Sequence, residues 1–367
     1  MVGKYILVLP YVTYRHRAIT FYCNTLLITY NLTLMTKRRI SQRQAQMIAG
    51  IQAERVKRVG ARDAKLLGEV EQSGLGPEEH GLVLAHHGAR AEVESENGEH
   101  YPCLLRQHLG HLITGDRVIW RRGQNELGVV VALLPRTSEL TRTTDRGIVK
   151  PIAANIDQIL VTVAVEPAYS LEHLDPYLIA ATLQHIPAVI VLNKIDQCPQ
   201  PYPDVLADWI ALYRGLGYPV IETSSTTQLG LQQLAQQLQH HTSVFVGQSG
   251  VGKSSLIASF LPNADIRIGT FTPEVGHGTH TTSTARLYHL PSGGDLIDSP
   301  GIRELKLGPL TPAELIQGFI EFHPYLNACK FRDCSHTHEP ECMILQAVAD
   351  GKINSHRLQA FHNLLKK

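Results

Sequence analysis

Eight consecutive residues, Gly247-Gln248-Ser249-Gly250-Val251-Gly252-Lys253-Ser254, fit the spacing G-x-x-x-x-G-K-[ST]. Glycines at these intervals let backbone N–H groups turn inward around phosphate oxygens. The N-terminus of the helix that follows would add its partial positive charge. Lys253 would reach the β- and γ-phosphates, the Ser254 hydroxyl would ligate Mg²⁺, and Ser255 would add a further group at the helix start. A glycine-rich turn without a ligand has the same local appearance. The context argues against that, because the apolar run Val244–Val246 precedes the motif and the helix-forming run Ser255–Leu261 follows it.

A phosphate cradle does not choose a base. Asn193-Lys194-Ile195-Asp196 follows the apolar run Ala188–Leu192. A carboxylate at Asp196 can accept from both N1–H and the exocyclic amine of guanine. Adenine offers no such donor pair and would leave the carboxylate unpaired, at a cost of roughly several kcal/mol. The aliphatic stem of Lys194 would lie along the ring. Ser224-Ser225, after the run Tyr218–Glu222, suit backbone contacts to the guanine edge. Asp298-Ser299-Pro300-Gly301 provides a carboxylate for Mg²⁺ and, at Gly301, an N–H for the γ-phosphate. Thr281 or Thr282 would supply the second hydroxyl to Mg²⁺. Each of these could singly be an ordinary loop residue, but jointly they describe one site.

Attack of water on a γ-phosphate needs positioning and charge stabilisation more than covalent chemistry. Many GTPases place a Gln directly after the D-x-x-G motif, but here that residue is Ile302. His280, beside Thr281 and Thr282, could orient or accept from water, and His277 is a second candidate. The alternative is that His280 only hydrogen-bonds its own loop.

A second cluster, Cys329, Cys334, His336 and Cys342, has the spacing C-x₄-C-x-H-x₅-C. Three thiolates and one imidazole would fill a tetrahedral Zn²⁺ shell with no open position, which makes a structural metal. His338 could replace His336 on spacing alone.

The elements that must carry these residues divide the chain of 367 residues. Residues 81–140 read as five short strands: Gly81–His86, Ala91–Ser95, Cys103–Leu105, Arg117–Arg121 and Gly128–Leu134. Five strands in so short a span point to a small barrel, of the oligonucleotide/oligosaccharide-binding (OB) or the SH3-like kind. From residue 151 strands alternate with helical stretches near 171–185, 203–216, 229–240 and 254–261, which means an α/β domain with a parallel sheet. Thr311, Pro312 and Glu314 mark the start of a last, helical segment. Residues 37–65 hold nine basic residues against Glu54 and Asp63, although the whole chain carries a net charge of only +1. Such a run is either a solvated tail or a nucleic-acid arm that releases counterions from phosphates. Residues 18–36 are uncharged, but seven of these 19 are Thr or Asn, too polar for a membrane span. We expect residues 1–36 to be an extension of doubtful status or translation upstream of a start at Met35.

The order of the motifs is unusual. The base-reading motifs, Asn193–Asp196 and Ser224-Ser225, precede the phosphate cradle, and Thr281/Thr282 and Asp298–Gly301 follow it. A site depends on position in space rather than chain order, so the chain reads as a circularly permuted GTPase. With Pro151-Ile152-Ala153-Ala154-Asn155-Ile156-Asp157, His280-Thr281-Thr282 and the metal cluster added, it resembles the bacterial GTPases that depend on the small ribosomal subunit. The resemblance runs from about residue 37 to the end.

The resemblance implies a multidomain fold: a flexible basic arm (37–75), an N-terminal OB-fold barrel (76–145), a central α/β P-loop GTPase domain in permuted order (150–310) and a C-terminal helical zinc-binding domain (311–367). It implies GTP and GDP as ligands, Mg²⁺ with GTP, one structural Zn²⁺ with His336 as its imidazole, and His280 as the catalytic histidine. It also implies binding to the small ribosomal subunit and its rRNA in late maturation, with hydrolysis stimulated by the subunit. A cytoplasmic monomer without stable membrane association is expected. A GTP-dependent switch for another RNA or for a membrane surface is the competing reading.

Overall fold

A computed structural model describes residues 65, 67–68, 70, 74–106, 109–123, 127–143, 148–166, 171–261, 285–298, 308 and 310–366. The first five strands are β1 (Glu78–His87), β2 (Arg90–Ser95), β3 (His100–Leu105), β4 (Arg117–Arg122) and β5 (Gly128–Leu133). They pair in the order β1-β2-β3-β5-β4 and close through β1–β4, with β3 and β5 parallel. This closed Greek-key order is that of the OB barrel and excludes a simple meander of the SH3 kind. Period-two alternation turns Val83, Val93, Val118, Trp120 and Val130 into its interior. Trp120 and Tyr101 pack together there with ring centroids 4.8 Å apart, so the barrel's aromatic pair belongs to its core.

A hairpin of β6 (Glu139–Thr143) and β7 (Val149–Ala154) follows the barrel. Sequence reasoning missed it. Pro151 lies in β7 and lacks the N–H a ladder needs, which disguises a strand that tolerates it only as part of a two-stranded edge.

The α/β region has a parallel core of β8 (Gln158–Ala164), β9 (Ala188–Asn193), β10 (Val220–Glu222), β11 (Thr242–Val246) and β13 (Asp295–Asp298), ordered β10-β9-β8-β11-β13. The seven residues of β8 are all buried, as a central parallel strand covered on both faces requires. Helices α1 (Leu171–Leu183) and α2 (Asp204–Gly215) cover one face with Leu174, Leu178, Leu206 and Ile210. Helices α3 (Leu231–Leu238) and α4 (Lys253–Phe260) cover the other with Leu234, Leu238, Leu256 and Ile257. One further strand, β12 (Arg286–His289), runs antiparallel between β13 and barrel strand β1. Sequence reasoning missed it too: four residues are too short to show a period.

The C-terminal segment holds α5 (Pro312–Gln317), α6 (Met343–Ala349) and α7 (Ser355–Leu365). Thr311 caps α5 in a capping box: its hydroxyl accepts from the Glu314 N–H at 3.3 Å while the Glu314 carboxylate accepts from the Thr311 N–H at 2.8 Å. Phe319, Phe322 and Phe361 form an aromatic centre that also takes in Ile179 of α1. Among the described residues, no helix is long and apolar enough to cross a membrane.

Candidate functional site: a nucleotide pocket and a thiolate cluster

The strand β11, the loop 247–252 and α4 form one strand–loop–helix unit. Gly247 has φ 140° and a Cβ there would lie 2.2 Å from the Thr162 carbonyl oxygen. Only glycine fits where the loop leaves the sheet beside β8. Among the described residues no side chain caps the start of α4, so its first N–H groups point into the loop. Lys253 is 6% exposed, and its ammonium donates to the carbonyl oxygens of Gly247 (2.7 Å) and Gln248. The positive charge therefore sits at the centre of the loop. Ser249, Gly250 and Ser255 are exposed and Ser254 is half-buried.

Strand register explains how Asn193–Asp196 meets this loop. Val246 ends β11 opposite Val161, whereas Asn193 ends β9 opposite Ala164. Three residues at about 3.3 Å each set Asn193 roughly 10 Å further along the strand direction, where the loop's crest folds over. Asn193, fully buried, donates from Nδ2 to the Val251 carbonyl at 2.9 Å and accepts at Oδ1 from the Thr223 hydroxyl at 3.2 Å. A Cβ on Gly252, which has φ 93°, would fall 2.3 Å from that Nδ2. Lys194 adopts φ 60° and ψ 31°, a left-handed residue that turns the chain sharply. The turn sends Ile195 into the core, its N–H bonded to the Thr223 carbonyl at 3.1 Å, and leaves Asp196 exposed. The side chains of Ile195 and Val251 are buried, so what they offer at this surface is backbone.

Ser224 is buried and holds the neighbouring loop: its Oγ accepts from the Thr227 N–H at 3.0 Å and its N–H donates to the Leu229 carbonyl at 3.0 Å. The Ser225 carbonyl accepts from the Gln228 side chain at 3.0 Å. Asp298 ends β13, whose Ile297 pairs with Val244 of β11, so the carboxylate lies one strand from the loop. Four of the expected site residues, His280, Thr281, Thr282 and Gly301, lie outside the described residues, as do His277 and the basic run before Lys65.

The second site is the thiolate cluster. Ligand atoms of Cys329, Cys334, His336 and Cys342 all lie within 4.8 Å of one another. Cys329 Sγ is 3.6 Å from His336 Nδ1 and 3.9 Å from Cys342 Sγ, and His336 Nδ1 is 3.3 Å from Cys342 Sγ. A tetrahedron with Zn–S bonds of about 2.3 Å has edges of about 3.8 Å, so the four donors fit a zinc ion. His338 is turned away, with Nδ1 2.8 Å from the Thr337 hydroxyl. The loop is held from within by Glu339, which accepts from the Ser335 and Thr337 N–H groups at 2.8 and 2.9 Å. The Ser335 hydroxyl, with the backbone N–H groups of Ser335, Glu339 itself and His338, holds that carboxyl far below its usual range. His362 of α7 bonds the His336 carbonyl at 2.8 Å, fixing the loop to the last helix.

A strand–loop–helix unit, the turn Asn193–Asp196 upstream of it in sequence and an N-terminal barrel make the architecture of a circularly permuted P-loop GTPase. The comparisons agree. The family model described as RsgA GTPase matches residues 133–308. A protein of Pseudomonas syringae pv. tomato named small ribosomal subunit biogenesis GTPase RsgA is 47% identical over 335 residues, covering 90% of this chain and 98% of the relative. Its namesake in Pseudomonas aeruginosa is 46% identical over 331 residues, with the same coverage. Among solved structures, YjeQ from Thermotoga maritima is 30% identical with a TM-score of 0.65, over 79% of this chain and 98% of that one. YloQ, titled a circularly permuted GTPase, is 26% identical with a TM-score of 0.64, over 79% of this chain and 94% of that one. The chain belongs to the RsgA GTPase family.

Proposed function

We propose that this chain binds GTP, hydrolyses it to GDP and phosphate, and does so on the small ribosomal subunit late in its maturation, the subunit stimulating turnover. The observation that carries the reading is the bond from Asn193 to the Val251 carbonyl, which joins the base-reading turn to the phosphate loop in one pocket. The relatives' printed name supports the choice of partner.

In this reading the N–H groups of residues 248–255 and the Lys253 ammonium take the phosphates, exchanging the loop carbonyls for phosphate oxygens. Asp196 accepts from guanine, Lys194 lies along the ring, and the Ser224-Ser225 loop closes its edge. Ser254, Asp298 and Thr281 or Thr282 would hold Mg²⁺, which neutralises charge on the β- and γ-phosphates. His280 orients the attacking water and the Gly301 N–H meets the γ-phosphate. One zinc ion held by Cys329, Cys334, His336 and Cys342 would order residues 326–342, which are mostly exposed and bury little apolar surface of their own.

The division of labour follows the domains: 150–310 for the nucleotide, with the arm 37–75, the barrel 76–145 and the segment 311–367 for rRNA. Phosphate and shape contacts would dominate there, because Trp120 and Tyr101 are buried in the barrel core and unsuited to stacking on bases. We read the protein as a cytoplasmic monomer. The test is GTP turnover by the full chain alone, with purified small subunits and with large subunits, repeated for Lys253→Ala. Stimulation by small subunits only, abolished by the substitution, is expected; equal response to both subunits would overturn the choice of partner.

A further inference from the structure

Strand β12 is the narrow seam between the barrel and the nucleotide sheet. On one side it pairs with β13, and Arg286 lies directly opposite Asp298 in that register. On the other side it meets the barrel at a single bridge, Ala85 to Arg286. One backbone bridge would hold such a point weakly, yet three barrel elements converge on it. The Thr114 hydroxyl donates to the Ala285 carbonyl at 2.9 Å. Glu92 of β2 accepts from both terminal nitrogens of Arg286, at 2.6 and 2.7 Å, the parallel fork that fixes a guanidinium in orientation as well as distance. His100 of β3 braces the same carboxylate, its Nδ1 3.1 Å from Oε1. Two residues along β2, Glu94 takes the far end of β12 through His289 Nε2 at 2.9 Å. Both ends of the short strand are therefore tied to alternate residues of one barrel strand.

This arrangement does more than join two domains. Arg286 and Glu92 are 37% and 28% exposed, and an ion pair in contact with water is screened and adds little stability, so stability alone is a poor reason for a fork at this place. Its location is specific: the residue it fixes is the cross-strand neighbour of the carboxylate that our reading assigns to Mg²⁺. A sheet transmits position well across paired backbones, because a shift of one strand moves the partner's hydrogen-bonded residue with it.

We propose that Glu92 and Arg286 are positioning residues for the nucleotide site: the barrel, through this fork, sets where Asp298 stands and so how well the site uses Mg²⁺ in GTP hydrolysis. The inference rests on the proposed reading of the nucleotide pocket. The barrel is then part of the hydrolytic machinery, not only a docking module, and a ligand on β2 could be felt at Asp298 through the Glu92–Arg286 fork and the single pairing of β12 with β13.

The test uses the full chain with Glu92→Gln, which keeps the shape and removes the charge, and the exchange Glu92→Arg with Arg286→Glu, which restores an opposite-charge pair. Two quantities are read: the Kd for GDP in EDTA, and the Mg²⁺ concentration giving half-maximal GTP hydrolysis. We expect Glu92→Gln to leave the GDP Kd within twofold while raising the Mg²⁺ half-point at least fivefold, and the exchange to bring it back to within twofold of the parent. A merely structural pair would lower the melting temperature without moving the Mg²⁺ half-point. An unmoved half-point in Glu92→Gln overturns the inference, as does one that the folded exchange variant fails to restore. If the parent protein itself fails to bind GDP, the reading of the pocket falls instead.

Discussion

Arg357 offers the most severe test of how the C-terminal segment is attached. It lies on α7 with its side chain 1% exposed, against Asp175 of α1 at 1% and Glu321 at 6%. The guanidinium bonds Asp175 through one terminal nitrogen and Glu321 through Nε, and stands 4.6 Å from the Phe319 ring centroid. The Tyr213 hydroxyl of α2 donates to Asp175 at 2.6 Å. The second Asp175 oxygen, Oδ2, is buried and accepts no hydrogen bond from the described residues. Burial pushes the Asp175 carboxyl above its ordinary value even with Arg357 beside it.

Arg357→Met keeps the stem and removes the charge, leaving two carboxylates without their cation. Breaking a buried pair in this way costs about 3–5 kcal/mol, and at roughly 2–4 °C per kcal/mol for a domain of this size the transition falls by about 6–20 °C. The sign with pH is fixed by linkage. A carboxyl whose folded pKa is raised binds its proton more tightly when folded, so the folded state is favoured at low pH and loses that advantage as pH rises from the unfolded value toward the folded one. The deficit of Arg357→Met should shrink on acidification toward that unfolded value, near 3.8. Denaturation followed by circular dichroism gives the stability; amide exchange in α1 and α7 locates it. A loss under about 1 kcal/mol, or a deficit that grows on acidification, would refute the reasoning. So would faster exchange confined to α7, because the network couples both helices.

Three further outcomes rest on single contacts. Gly252→Ala should weaken GDP binding by about two orders of magnitude in a titration, since its Cβ meets Asn193 Nδ2 at 2.3 Å in a left-handed backbone; near-parental affinity would show that the loop and the turn do not share one pocket. Removing metal with a chelator, or Cys334→Ser, should speed amide exchange across 326–342 while leaving GDP binding intact, and unchanged exchange would deny the metal its folding role. Burial opposes protonation of His289, but Asp295 and Glu94 outweigh it and raise its pKa above 6.5. Its contribution to joining β12 with the barrel is therefore complete below 6.5 and fades as pH rises through the raised value. Parent and His289→Gln should accordingly converge in stability toward alkaline pH, and a gap that widens there would contradict the assignment.

Much of this architecture is legible from residues alone, and the rest is hidden for identifiable causes. The phosphate loop, the turn at Asn193–Asp196 and the thiolate cluster announce themselves because their chemistry demands particular residue types at fixed spacing. The central strands are readable because burial on both faces forces nearly continuous apolar runs such as Ile159–Val163, interrupted only by Thr162. The hairpin of β6 and β7 is hidden by Pro151, and β12 by its brevity. Spacing leaves His336 and His338 equivalent; only the fold turns one toward the sulfurs. The buried trio of Arg357, Asp175 and Glu321 is the least legible of all. Its members are separated by up to 182 residues and have no motif, since an ion pair inside a core is specified by packing rather than by local pattern.

Permutation explains why the strands and motifs are decipherable although their order is not the ordinary one. In an open parallel sheet, a site forms beyond the carboxyl ends of the strands. Each strand brings its own loop to that edge: β9 brings Asn193–Asp196, β10 Ser224-Ser225, β11 the phosphate loop and β13 Asp298. The sheet needs each strand in its slot, not a particular sequence of slots. Reordering the chain changes which loops become termini and connections, and in this chain the change places β12 and β13 directly before the C-terminal segment. The barrel grips β12 on one side of the nucleotide sheet, while the Arg357 network ties that segment to α1. The pieces nearest the γ-phosphate in our reading are thus joined to both flanking modules, an arrangement in which binding by either module is placed to bear on hydrolysis.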